Sequence, residues 1–161
     1  MAKPRDHKTN AVRALDAANL DYEFRVFECA DAVPSGVEVA AMLGLDPDQV
    51  FKTLVTVGKS NEHYVFMIPV AEELDLKKAA RAVGEKAIAM IKSRELLPLT
   101  GYVHGGCSPI GMKKTFVTVV DETAQLFDAI YFSAGKIGCQ IRLSSGDLEK
   151  VIDLSYADLT V

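Results

Sequence analysis

The sequence predicts a mixed α/β fold: a single domain in which helices surround a curled, partly antiparallel, barrel-like sheet. Three observations carry this. Segments with strand alternation and segments with helical periodicity follow one another without the regular βαβ repeat of a purely parallel sheet. Two apolar strands, FKTLVTV (51–57) and HYVFMIPV (63–70), are separated only by GKSNE and so form an antiparallel hairpin. The 161 residues are 49% hydrophobic and 25% charged, which is enough for one sizeable core. No linker-like segment divides them, so residues 1–161 read as one domain.

The elements follow in order. TNAVRALDAANL places Val12, Leu15 and Leu20 on one helical stripe, capped by Thr9 or Asn10. DYEFRVFE alternates Tyr22, Phe24 and Val26 against Glu23 and Arg25, a strand. PSGVEVAAMLGL carries Ser35 three residues before Glu38, a capping box, and stops at Gly44. After the DPDQ turn comes the hairpin. LDLKKAARAVG is a helix between Asp75 as cap and Gly84 as stop, KAIAMI a strand, and SRELLPLTG one or two helical turns broken by Pro98. TFVTVVD, AIYFS and CQIRL are short strands, and SSGDLEKVID is a closing capped helix.

Charge and composition exclude several classes. A net charge of −4 and an isoelectric point near 5.4 argue against a protein that coats nucleic acid through its overall field. Local basic clusters remain at Lys77-Lys78-Arg81, Lys92/Arg94 and Lys113-Lys114, each equally readable as a solvated face. No apolar run approaches about 20 residues, so no membrane-spanning helix is expected. The N-terminus lacks an apolar signal core, and a cytoplasmic protein is expected. Cys29, Cys107 and Cys139 share no metal-ligand spacing and fit reduced thiols better than disulfides or zinc.

The segment HGGCSPIGMKK (104–114) concentrates backbone freedom. It is neither a Walker loop nor a dinucleotide fingerprint. Adjacent Gly105 and Gly106 let a ligand approach backbone N–H groups, so the stretch reads either as a pocket wall of donors or as a connecting loop. Lys52, inside an apolar strand, is a solvated rim residue or a cation aimed into a cleft. Cys107 invites a nucleophile reading with His104 as base, although no orienting third group is evident. Ser108 lacks a G-x-S-x-G context, and His7 and His63 take no role. Tyr102, Ser133 and Gln140 flank glycine-bearing turns and are able to hydrogen-bond a ligand.

Taken in order, DPDQVFKTLVTV, PVAEELDLKKAARAVGEKAIAM, TGYVHGGCSPIGMKK and VDETAQLFDAIYFSAGKIGCQIRLSSGDLEKVI resemble the YbaK/EbsC family of aminoacyl-tRNA deacylases, and within it the Cys-tRNA(Pro) deacylase branch. The resemblance runs from about the first helix to the last. It implies a fold related to the editing domain of bacterial prolyl-tRNA synthetase and hydrolysis of the ester joining a wrong amino acid to tRNA. It also implies roles. Lys52 helps hold the aminoacylated tRNA end. Gly105 lines the pocket beside the scissile carbonyl, with Gly106 beside it. Tyr102 and Ser133 are further pocket positions, and Gln140 stands where some relatives carry Asp. No cofactor, metal or membrane is implied. The implied partners are tRNA and, through the family, prolyl-tRNA synthetase.

The energetics explain why such an enzyme is needed. Cysteine and proline are similar in size, and a pocket discriminates a methylene by only about 1–3 kcal/mol, so mischarging requires a second site. In the cysteine branch the resemblance implies that the substrate's own thiol attacks the ester and leaves as a thiolactone. The alternatives are an Ala-tRNA(Pro) deacylase with water as attacker, or a module that binds the aminoacyl end without turnover.

Overall fold

The computed structural model describes residues 8–29 and 32–161, and His7 lies outside them. Helix α1 (Asn10–Ala17) begins where Thr9 Oγ1 accepts from Val12 N at 3.1 Å. The same hydroxyl donates to Ala134 O at 2.5 Å, tying the helix start to a distant turn. Val12 and Leu15 are fully buried, as the stripe requires. Strand β1 (Glu23–Val26) follows, then α2 (Gly36–Met42), whose Ser35–Glu38 capping box forms on both sides and stabilises it by about 1 kcal/mol. The hairpin pairs β2 (Phe51–Gly58) with β3 (His63–Pro69) in register from Phe51↔Pro69 to Val57↔His63, its tight loop turning at Asn61 with φ 72°.

Asp75 caps α3 (Leu76–Val83), accepting from Lys77 N and Lys78 N, and Gly84 ends it in the left-handed region. Strand β4 (Ile88–Met90) leads into α4 (Ser93–Thr100). Pro98 does not break α4 as expected; the helix runs on to Thr100 and is stopped by Gly101 at φ 84°. In so short a helix the missing N–H removes one bond, while Thr100 Oγ1 donates back to Leu96 O at 2.8 Å. The last elements are β5 (Val117–Asp121), a 3-10 turn at Glu122–Leu126, β6 (Ile130–Ser133), β7 (Cys139–Leu143), α5 (Ser145–Val151) and β8 (Leu154–Ala157). The 3-10 turn and β8 carry no strong periodic pattern and were not expected.

The fold class is mixed α/β, but the strands do not curl into one barrel-like sheet. They form two, ordered β1-β7-β6 and β4-β2-β3-β5-β8. The first is antiparallel; in the second, β3, β5 and β8 run parallel. The sheets meet at a parallel bridge between Val50 and Tyr131. Closure fails because β6 and β4 share one edge of β2 at different heights, so neither extends along it.

One core lies between the small sheet, α1 and α5, holding Phe24, Phe132, Ile130, Ile141, Leu143 and Leu148. A second covers the other face of the large sheet with Phe66, Ile68, Ala79 and Ala80. Each fully buried large apolar side chain contributes about 1.5–3 kcal/mol. All three cysteines are free, Cys29 exposed and the other two buried. Among the described residues no helix is long and apolar enough to cross a membrane.

Candidate functional site

Strand alternation builds the site. Ile130 and Phe132 of β6 and Cys139, Ile141 and Leu143 of β7 point into the main core. Their neighbours Tyr131, Ser133 and Gln140 are thrown to the opposite face, where Ser133 and Gln140 stand side by side as register partners. That face, Val50 with the residues 51–54 of β2, the start of α2 and the glycine-rich loop enclose a cleft of about 320 Å³.

Lys52, Gly105, Ser133 and Gln140 all line this cleft, although they come from four separate segments. Lys52 is half-buried, and its Nζ donates loosely to Val70 O at 3.4 Å. Among the described residues it forms no ion pair. Burial holds its pKa below the usual lysine value, while nearby Glu73 and Glu72 oppose that shift. Ser133 Oγ accepts from Gly135 N at 3.1 Å, leaving its proton to donate into the cleft. The Gly105 N–H has no intramolecular partner among the described residues, and its φ of 85° turns the loop at the cleft wall.

Tyr102 and Gly106 are placed differently from the pocket positions expected for them. Neither is among the cleft-lining residues. Tyr102 is buried behind the loop, its hydroxyl donating to Ile110 O at 2.6 Å, and burial raises its pKa to about 12. It packs with Val55, Val65 and Cys107 and so supports the loop from the core side. Gly106 spends its N–H on Val103 O at 2.9 Å, and a Cβ there would meet Ile137 N at 2.9 Å. Its smallness lets two loops pass closely. Lys113 N closes the whole loop onto Thr100 O at 3.0 Å.

Cys107 and His104 both line the cleft, but no hydrogen bond joins them among the described residues. Burial pushes the Cys107 thiol up to about 12, with a Thr100 hydrogen bond partly opposing, so it stays protonated near neutrality and is a poor nucleophile. Ser108 is fully buried and its Oγ accepts from Ile110 N. We expect a thiol reagent at pH 7.5 to label exposed Cys29 first, and Cys107→Ala to retain deacylation within about threefold, since it removes an uncharged thiol whose hydrogen bond is to Thr100 and not to His104. Fast native-state labelling of Cys107, seen by peptide mass mapping, would contradict this.

Two features were not legible in advance. The start of α2 forms a wall through Pro34, Ser35, Gly36 and Val39; the signal was Gly36, whose Cβ would lie 2.5 Å from Val70 Cγ1. The other is Thr53. Among the described residues the buried side-chain polar atoms without partners are Thr53 Oγ1 and Gln140 Oε1, and both residues line this cleft. Unpaired buried polar atoms are rare and mark a place for a ligand or water. A larger recess of about 450 Å³ near α1 and α5 mixes exposed charges such as Lys114, Glu149, Lys150 and Asp153 with apolar side chains such as Met112 and Phe116, and neither Thr53 nor Gln140 lines it. The smaller cleft is therefore the better site. Among the described residues no group of three His, Cys, Asp or Glu is placed to hold a metal ion.

Residues 30–151 match the model of the aminoacyl-tRNA editing domain. Across 161 aligned residues, 99% of this chain and 98% of the relative, the chain is 42% identical to EbsC of Enterococcus faecalis, whose assigned activity is Cys-tRNA(Pro)/Cys-tRNA(Cys) deacylation. A segment covering 52% of the chain is 34% identical to 15% of the proline–tRNA ligase of Pelobacter propionicus. A solved structure assigned as a trans-editing enzyme for prolyl-tRNA synthetase superposes with a TM-score of 0.81 at 24% identity, covering 100% of this chain and 99% of its own.

Proposed function

This chain belongs to the aminoacyl-tRNA editing domain family, and from that premise we propose that residues 1–161 act as one trans-editing domain that deacylates mischarged Cys-tRNA(Pro). The observation that carries this reading is the convergence of Lys52, the unpaired Gly105 N–H, Ser133 and Gln140 on one cleft. A cleft of about 320 Å³ suits an aminoacyl group with part of the terminal ribose rather than a polymer.

The cysteine-specific branch that the chain resembles implies that the attacking sulfur is the substrate's own, and a protonated Cys107 fits that reading. The cysteinyl thiol gives up its proton, its sulfur bonds to the ester carbonyl carbon, and the carbonyl oxygen becomes an oxyanion beside the Gly105 N–H. Collapse breaks the ester bond, and the terminal ribose oxygen leaves and takes a proton. The products are the cysteine thiolactone and free tRNA. The protein's contribution is orientation and a donor aimed at the developing charge. Lys52 faces a phosphate or the ribose of the terminal adenosine. Its half-buried position strengthens that attraction relative to water. The acidic chain has little general affinity for tRNA, so a complex with prolyl-tRNA synthetase would deliver the substrate.

Lys52→Ala tests the assignment. A charged hydrogen bond is worth about 1.5–3 kcal/mol, so deacylation of Cys-tRNA(Pro) should fall about 10- to 100-fold with the melting temperature preserved. An unchanged rate would remove Lys52 from the site. A panel of mischarged tRNAs under multiple-turnover conditions separates cysteinyl from alanyl preference. It also separates an enzyme from a module that binds without turnover, which releases no more than one equivalent of amino acid.

A further inference from the structure

The backbone of β2 alternates between two edges. Gly58 N–H bonds Glu62 O at 2.8 Å and Val70 N–H reaches Val50 O at 2.8 Å, so the even-numbered residues face β3. On the opposite edge Tyr131 N–H donates to Gln49 O at 3.0 Å, Ile91 N–H to Val55 O at 3.4 Å and Lys59 N–H to Ala87 O at 3.0 Å. Strand β6 therefore occupies that edge at its start and β4 at its end. Thr53 falls between them. On that side neither the β4 ladder, which starts at Thr56, nor the bridge at Val50 reaches Thr53, and its Oγ1 is buried and unpaired. Thr53 also lines the cleft.

The gap lies between the β6 bridge at Val50 and the first β4 pair at Thr56, with Thr53 at its middle. A ladder position needs one donor and one acceptor separated by a single Cα, as every β residue supplies. An amino acid esterified through its carboxyl offers that pair: an α-ammonium that donates and an ester carbonyl that accepts. We propose that the open edge of β2 at Thr53 recognises the backbone of the substrate's amino acid, Thr53 C=O accepting from the α-ammonium and Thr53 N–H donating to the ester carbonyl. The Thr53 hydroxyl is placed to share the ammonium. This inference rests on the deacylase reading and deepens it. A grip of this kind is indifferent to the side chain, so selection among amino acids falls to the cavity walls and to the reactivity of the substrate's own thiol.

The test uses the ¹⁵N-labelled full chain and 3′-amino-3′-deoxyadenosine carrying L-cysteine through an amide, which resists cleavage. In the free protein the Thr53 amide should exchange with solvent faster than that of Leu54, which faces β3. On binding, its resonance should shift and its exchange slow by at least roughly tenfold, as for an amide that gains a hydrogen bond. The 3-mercaptopropionyl counterpart, which lacks the ammonium, should bind at least roughly tenfold more weakly. If the analogue perturbs the Gly105 and Gln140 amides but leaves Thr53 exchange unchanged, the strand-edge proposal is overturned and the cleft assignment stands. Equal affinity for the two analogues overturns the ammonium contact. Perturbation of no cleft amide overturns both readings.

Discussion

Gly105→Ala is expected to lower deacylation of Cys-tRNA(Pro) by about 100-fold or more, the usual consequence of losing one oxyanion donor, while leaving the protein folded. The backbone at 105 has φ 85°, which costs an L-residue with a Cβ roughly 1–2 kcal/mol. The added methyl would also lie 2.4 Å from Val33 Cγ1. Val33 is 46% exposed and lies outside any helix or strand, so the contact is relieved by movement and not by unfolding. That movement shifts the cleft wall and displaces the N–H from the place proposed for the scissile carbonyl. Steady-state deacylation alongside thermal denaturation separates the two consequences. A near-normal rate with a normal melting temperature would refute a role for this amide.

The same substitution six residues later has the opposite profile. Gly111→Ala is expected to cost about 2–5 kcal/mol of stability, combining the left-handed backbone penalty with overpacking. At φ 75° the new Cβ would meet Asn10 C at 2.7 Å and Ala11 N at 2.9 Å. These are backbone atoms at the start of α1, held by the Thr9 cap and its bond to Ala134 O, and they cannot swing aside. A domain of this size has about 5–15 kcal/mol in total, so the denaturant midpoint should drop sharply. A change under 0.5 kcal/mol would mean that the loop and α1 are not packed as described. Together the two glycines separate a position that shapes the cleft from one that holds the loop to the core.

Local pattern decided the elements whose signals are local. The Ser35–Glu38 box, the Asp75 cap with its Gly84 stop, and the hairpin between FKTLVTV and HYVFMIPV could be read directly, because capping and turn chemistry involve residues within a few positions of each other. The family could be read too, since it resides in ordered motifs such as TGYVHGGCSPIGMKK. Lys52, Gly105, Ser133 and Gln140 were named as site residues from the same source, and the cleft brings them together.

What only the tertiary structure decided depends on contacts between residues far apart in the chain. Tyr102 and Gly106 sit in the same motif as Gly105, yet one supports the loop from the core and the other lets two loops pass. A sequence motif does not say which of its members face the ligand. Strand β8 has only a faint pattern of its own and is recruited by pairing with β5. The division of β2's edge between β6 and β4, which opens the sheet at Thr53, follows from three strands drawn from positions 51 to 133. Periodicity tells a strand which face is apolar, but its neighbours, and the hydrogen bonds left without one, are set only when distant strands compete for the same edge.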